Sequence, residues 1–66
     1  MDVKDVEFAL AQIIKDREDD EAAHILEDDL YRKILQSIAD GTCENPAEVC
    51  RLALTSKNVV FARWCA

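Results

Sequence analysis

Chain-breaking and aromatic residues are scarce in this 66-residue chain, which has one glycine, one proline, two phenylalanines, one tyrosine and one tryptophan, together with three cysteines and one histidine. An odd number of cysteines does not fit a disulfide framework, and the residues after Met1 are acidic and polar where a secretory signal would be apolar. No apolar run approaches the ~20 residues that span a bilayer. These absences exclude a disulfide-rich secreted domain and a membrane protein, and we expect a reduced, cytoplasmic protein.

Basic residues are also scarce, and they are unevenly distributed. The chain has 8 Lys and Arg against 14 Asp and Glu, for a formal net charge of −6. Residues 1–45 carry 5 of the basic and 13 of the acidic side chains, so residues 46–66 are weakly basic. An acidic surface repels nucleic acid and attracts a basic protein surface. The charge therefore favours a protein partner and argues against direct binding of nucleic acid.

Apolar residues recur at helical spacing along most of the chain, and strand-like alternation is absent until the last residues. At about 100° per residue, a second apolar stripe is rotated by about 120° from the first. We therefore predict a bend within residues 16–20, with Asp19 or Asp20 capping the second helix and Asp2 the first. The first helix would bury Val3, Val6, Leu10, Ile13 and Ile14, and the second Ala23, Leu26, Leu30, Ile34 and Ile38, widened by Tyr31 and Leu35.

The next helix boundary is marked by the only glycine and the only proline. Gly41 suits the left-handed end of the second helix, and Asn45 and Pro46 suit the cap and first residue of a third. Residues 59–66 read as a short last helix or as a docked tail that closes the core with Phe61 and Trp64. We predict an all-α fold, a compact bundle of three or four short helices, forming a single domain over residues 1–66.

The stretch "EVCRLALTSKNVVFARW", residues 48–64, is the part of the sequence nearest to a DNA-binding helix-turn-helix. Such units need a small residue in the first helix, usually a glycine in the turn, and apolar residues that bury the second helix. Leu54 stands at the glycine position, and Thr55 and Arg63 stand at apolar positions. The stretch offers DNA three basic side chains, Arg51, Lys57 and Arg63. A small helix-turn-helix-like regulator is therefore the alternative function rather than the first.

Metal binding and catalysis have few candidate residues. Glu21 and His24 repeat the Glu-x-x-His spacing of ferritin-like metal helices, but the first helix offers only exposed-looking carboxylates to complete such a site. A zinc site would need His24, Cys43, Cys50 and Cys65, whose cysteines are at least seven residues apart. A single histidine in so short a chain gives little basis for a Cys-His catalytic site. We predict no enzyme, no catalytic residue, no metal and no cofactor.

Two aromatic side chains and a group of carboxylates remain for partner binding. Phe8 points away from the first apolar stripe and Tyr31 lies at the edge of the second, so both are candidate interface anchors. Phe8 could instead pack beneath the C-terminal tail. The predicted acidic ridge consists of Glu18, Asp19, Asp20, Glu21, Glu27 and Asp28. Because a chain this short buries little surface alone, a homodimer or docking on a larger protein is expected to add to its buried surface.

The segments "EDDLYRKILQSIADG", "NPAE", "LALTSK" and "FARWCA" together resemble small acidic helical proteins encoded by phages and prophages, which include anti-CRISPR inhibitors of host defence. The similarity covers roughly residues 20–66 and is carried by residues at helix boundaries and in the tail. It implies a stoichiometric inhibitor or adaptor in the host cytoplasm. Such a protein would cover a functional surface of a host protein or complex, or would present carboxylates where that protein binds DNA phosphates.

Overall fold

The described part of the chain, residues 1–63 of a computed structural model, is mostly helical and contains no strand. Helix α1 spans Val3–Lys15, α2 spans Asp20–Ala39 and α3 spans Pro46–Leu54. A 3₁₀ turn, Thr55–Asn58, follows α3 directly. The all-α prediction is confirmed for these residues, whereas Trp64 and Cys65, for which the sequence also suggested roles, lie outside them.

Carboxylate side chains set where α1 and α2 begin. The Asp2 carboxylate accepts a hydrogen bond of 3.0 Å from the backbone N–H of Asp5, and the Asp5 carboxylate accepts one of 3.0 Å from the N–H of Asp2. Asp19 caps α2 by accepting from the N–H of Ala22 at 3.2 Å. The predicted bend is confirmed, because α1 ends at Lys15 and α2 begins five residues later.

The end of α2 is a glycine-dependent cap. Gly41 has a φ of +72°, its N–H donates to the carbonyl of Ile38 at 3.1 Å, and the N–H of Thr42 donates to that of Ser37 at 2.8 Å. This pair of bonds is the Schellman arrangement. Asn45 occupies the cap position of α3 with a φ of +50°, but its side chain makes no capping hydrogen bond. The predicted boundary between α2 and α3 is therefore confirmed. Asn45 marks the start of α3 through its backbone conformation and not through its side chain.

The core lies between the three helices and the residues that follow α3. Its buried apolar residues are Val6, Ile13, Ala23, Leu30, Ile34, Val49, Ala53 and Phe61. Three predicted core residues are wrong: Ile14, Leu35 and Ile38 are 46%, 69% and 41% exposed. Ile14 and Leu35 each follow a buried residue, Ile13 or Ile34, and so lie about 100° around the helix from it. The step of four residues from Ile34 to Ile38 adds a rotation of about 40°, which turns Ile38 away from the core.

Residues 59–63, called here the C-terminal segment, are not helical. Phe61 inserts into the core with 9% of its surface exposed. For the described residues, the docked-tail prediction is therefore confirmed. Within the same part of the chain, no helix is long and apolar enough to cross a membrane.

Candidate protein-binding surfaces and a buried carboxylate

Glu27 of α2 is the most enclosed charged residue among residues 1–63, with 5% of its surface exposed. The Arg63 guanidinium donates to it twice, from Nε to Oε1 at 2.8 Å and from Nη2 to Oε2 at 3.0 Å. Two parallel charge-assisted bonds of this kind are among the stronger polar contacts in proteins. Glu27 therefore joins the middle of α2 to the C-terminal segment.

Two hydroxyl groups extend this ion pair. Ser56, which is fully buried, donates from Oγ to Oε2 of Glu27 at 2.7 Å. The hydroxyl of Tyr31 is hydrogen-bonded to the same Ser56 oxygen. A serine hydroxyl has one hydrogen, which here goes to the carboxylate, so Tyr31 is the donor to Ser56. We call Glu27, Tyr31, Ser56 and Arg63 the Glu27 cluster.

Arg63 also holds the backbone of the chain that leads to it. Its Nη2 donates to the carbonyls of Ser56 at 2.9 Å and Val59 at 3.1 Å, and its guanidinium lies 3.8 Å from the centroid of the Phe61 ring. A separate bond, from the N–H of Ala62 to the Asp20 carboxylate at 3.0 Å, attaches the segment to the start of α2. One side chain thus fixes the path of the C-terminal segment across α2.

The charges of this ion pair are stabilised by each other. The hydrogen bond from Arg63 is the main cause that lowers the pKa of Glu27, against an opposing effect of burial, and the Ser56 hydroxyl lowers it further. The same hydrogen bond raises the pKa of the Arg63 guanidinium. Both groups stay ionised near neutral pH, so the arrangement suits a fixed ion pair rather than a proton donor or acceptor.

The cluster bears on three expectations from the sequence. Glu27 does not share the exposed surface of the predicted acidic ridge, because it is buried and paired. Tyr31 is half-buried and its hydroxyl is hydrogen-bonded to Ser56, so this side chain supports the fold, and its role as an interface anchor stays a prediction. Arg63, with 33% of its side chain exposed, is already bound to Glu27 and is not a free contact for DNA phosphates.

The Glu27 cluster is not among the features predicted from the sequence, although the sequence holds a signal for it. Glu27 lies on one line with Ala23, Leu30 and Ile34, at spacings of four, three and four, inside the second apolar stripe. A carboxylate at a core position of an amphipathic helix requires a buried cation or donor. The spacing thus points to a partner, but it does not identify the residue, because Arg63 lies 36 positions away.

The other five carboxylates of the predicted ridge are exposed, and we call Glu18, Asp19, Asp20, Glu21 and Asp28 the acidic surface. Three of them also have a structural contact. Asp19 caps α2, Asp20 accepts from Ala62, and an oxygen of Asp28 lies 3.4 Å from Nε2 of His24. Within residues 1–63, Glu18 and Glu21 form no ion pair. These two side chains are therefore the part of the acidic surface that the fold does not use.

Phe8 is 69% exposed and lines a shallow groove of about 360 Å³ between α1 and α2. The apolar lining of this groove comes from Met1, Ala9, Leu26 and Leu30 together with Phe8. An ion pair of 2.9 Å between Lys33 and Asp29 lies on its polar side. The alternative in which Phe8 packs beneath the C-terminal tail is wrong for the described residues, because the ring faces this open groove.

The two predicted aromatic anchors do not form one surface. Tyr31 lines a different depression, of about 300 Å³, between α2 and α3, beside the exposed side chains of Leu35 and Leu54. The groove with Phe8 lies on the α1 side of α2. A partner that contacts both rings would have to reach around α2.

The helix-turn-helix alternative lacks its second helix within the described residues. Residues 55–58 form a single 3₁₀ turn and residues 59–63 are not helical, so no recognition helix follows α3 there. Arg51 and Lys57 are exposed, and Arg51 lies 3.8 Å from Glu48. Two exposed cations are few for a surface that binds phosphates.

The described residues also contain no cluster of three or more His, Cys, Asp or Glu side chains placed to hold a metal ion. His24, of the Glu21-x-x-His24 spacing, contacts Asp28 along its own helix. Cys43 and Cys50 are both free thiols with partial exposure. The fourth residue of the zinc set that the sequence suggested, Cys65, lies outside the described part of the chain.

Comparison of the chain with protein family models, with curated proteins and with solved structures gives no match. The function must therefore be inferred from the residues and their geometry.

Proposed function

We propose that this chain is a small protein-binding module, an inhibitor or adaptor of the phage-encoded type, that binds a basic host protein in the cytoplasm without catalysing a reaction. Its scaffold would be a compact bundle of three helices and a 3₁₀ turn, in one domain. The observation that supports this proposal is the acidic surface, where Glu18 and Glu21 are exposed and unpaired within residues 1–63.

The placement of these carboxylates suits an electrostatic contact. Residues 18–21 form four successive exposed carboxylates at the turn between α1 and α2, and the net charge of −6 adds a long-range field of the same sign. Such a surface accelerates encounter with a cationic partner and excludes nucleic acid. A host protein that binds nucleic acid presents a basic surface of this kind, and the carboxylates would then occupy the place of phosphates. Anti-CRISPR proteins are one class of inhibitor with this mode of action.

Phe8 is the apolar residue best placed to add affinity. Its ring is 69% exposed, and the groove beside it offers apolar lining from both α1 and α2. Exposed aromatic side chains next to a groove commonly contribute a large share of binding energy. Phe8 would therefore anchor a partner whose encounter the acidic surface accelerates.

The test is capture of a partner from nuclease-treated bacterial lysate by the immobilised protein, at several salt concentrations, with identification by mass spectrometry. The test variant is Glu18→Lys with Glu21→Lys, because neither side chain forms an ion pair within residues 1–63. The matched control is Glu7→Lys with Glu44→Lys, which changes the net charge equally at two other exposed positions. Circular dichroism checks that both variants are folded.

We expect a stoichiometric partner that the wild-type protein and the control variant retain, and that the test variant loses by at least about tenfold. Added salt should weaken capture, since exposed charges are screened. Equal capture by the two charge-reversed variants would show that the acidic surface is not the binding site. In a parallel capture from lysate without nuclease treatment, retention of DNA rather than protein would favour the regulator with Arg51 and Lys57.

A further inference from the structure

The outward face of α2 carries a regular series of exposed residues that do not contribute to the core. The series is Glu21, Ile25, Asp28, Arg32, Leu35 and Ala39, at alternating spacings of four and three. All six are exposed, and Ile25 and Leu35 are large apolar side chains with 60% and 69% of their surface accessible. Alternation of four and three is the spacing of the contact seam of a coiled coil. We call these six residues the outer seam.

The outer seam is self-complementary when two copies of α2 lie antiparallel. A two-fold axis at the level of residue 30 places Asp28 opposite Arg32 of the partner subunit, and Arg32 opposite the partner's Asp28. The same axis places Ile25 opposite the partner's Leu35. In each opposing pair the two residue numbers are equally far from 30, so one operation satisfies every pair.

A parallel arrangement of the same seam would be unfavourable. Asp28 would face its own copy, as would Arg32, and like charges at a contact are repulsive. The sequence therefore distinguishes between the two orientations through its charges. Isologous interfaces built on a two-fold axis are also the commonest kind in homo-oligomers.

A neighbouring depression adds apolar surface that the contact between Ile25 and Leu35 would bury. Leu35 forms one side of the depression between α2 and α3, whose lining also includes Tyr31, Cys50 and Leu54. The partner's Ile25, opposite Leu35, would lie at its edge. Leu54 is itself 54% exposed, so the contact would cover three large apolar side chains that otherwise face water.

We propose that the outer seam is the interface of a symmetric, antiparallel homodimer of this chain, held by two Asp28 to Arg32 pairs around a two-fold axis and by Ile25 packed against Leu35. With one helix from each subunit, the interface is at the small end of specific contacts, so we expect a weak association that depends on protein concentration. Glu18, Asp19 and Asp20 lie beyond the N-terminal end of the seam and stay exposed in the dimer, whereas Glu21 is the last residue of the seam, opposite the partner's Ala39.

The test is sedimentation velocity of the full chain under reducing conditions, from about 10 to about 500 µM. Arg32→Asp should weaken dimerisation at least about tenfold, since it places two carboxylates opposite each other twice. Lys33→Asp is the matched control, because it makes the same charge change one residue away, on the groove side of α2. It should leave the dimerisation constant within about threefold of the wild type.

The charge-swapped variant Asp28→Arg with Arg32→Asp tests the register. It restores both pairs only if residues 28 and 32 face each other, so it should dimerise within about threefold of the wild type while each single reversal does not. A wild-type protein that stays monomeric at 500 µM would overturn the proposal. So would equal effects of Arg32→Asp and Lys33→Asp, or a folded swap variant that does not recover.

Discussion

Replacing Arg63 with alanine should destabilise the fold far more than a single residue near the end of the chain would ordinarily do. The change leaves the Glu27 carboxylate, with 7% of its side chain exposed, without its cation. It also removes the donors to the carbonyls of Ser56 and Val59 and the contact over the Phe61 ring. The C-terminal segment would then be attached to α2 mainly through Phe61 and the bond from Ala62 to Asp20.

The size of the effect follows from the burial of the two partners. Removing one partner of a buried ion pair costs about 3–5 kcal/mol. Arg63 retains 33% exposure, so water can approach the abandoned carboxylate, and we expect a loss of about 2–3 kcal/mol in the free energy of unfolding. At ~0.05–0.15 kcal/mol per residue, the whole chain has about 3–10 kcal/mol of stability. The variant would therefore lose a large part of it.

Urea denaturation followed by circular dichroism measures this loss as a change in midpoint at constant slope. Arg51→Ala is the control, because its partner Glu48 lies 3.8 Å away and both side chains are well exposed. An exposed pair of this kind contributes about 0–0.5 kcal/mol. A double-mutant cycle with Glu27→Gln then isolates the interaction between Glu27 and Arg63, which should exceed about 1 kcal/mol.

If Arg63→Ala shifts the urea midpoint no more than Arg51→Ala does, the ion pair does not hold the C-terminal segment and the reasoning is refuted. The same holds if the cycle shows additive effects of Glu27→Gln and Arg63→Ala. A changed slope would instead indicate that the segment detaches before global unfolding.

Three further predictions concern single residues. The pKa of Glu27 is lowered in the folded protein, so the stabilisation by its carboxylate is complete above the unfolded pKa and is lost as the pH falls through the folded pKa. The urea concentration at the unfolding midpoint should therefore decrease when the pH is lowered beneath about 5, and it should decrease less in Glu27→Gln. Asp19→Ala should cost about 1 kcal/mol of unfolding free energy by urea titration, while Asp19→Asn, which can still cap, should cost less. Gly41→Ala should cost about 1 kcal/mol of unfolding free energy, because a φ of +72° strains alanine although no atom lies within 4 Å of an added Cβ. Gly41→Asn is the control, since asparagine tolerates this backbone conformation better, and equal melting temperatures for the two variants would contradict the explanation.

The helices and their limits were predictable because they depend on local chemistry. Asp2, Asp19, Gly41 and Pro46 act within a few residues of their own positions, and the structure has α1, α2 and α3 bounded by them. Nine of the twelve predicted stripe residues are buried or partly buried. The period of an α-helix is sufficient to identify such positions without knowing what packs against them.

The predictions that failed depend on contacts between distant parts of the chain. Glu27 has the same charge as Asp28, and the sequence places both in one acidic run. The helical spacing places Glu27 in the apolar stripe, but the cation that pairs with it there, Arg63, comes from a distant part of the chain, while Asp28 stays exposed. The assignment of Leu35 to the core failed for a related reason, since the width of a buried face is set by the neighbouring helices.

Helix α2 has different uses on its different sides, and Tyr31 connects two of them. Its hydroxyl belongs to the Glu27 cluster, while its ring lines the depression where the proposed dimer would place the partner's Ile25. A ring that is held by Ser56 keeps this depression in one shape, so less ordering remains to be done when a second subunit binds. Loss of the Glu27 cluster would therefore weaken self-association as well as the fold. By linkage, self-association would in turn stabilise the cluster, although neither Arg63 nor Glu27 lies in the outer seam.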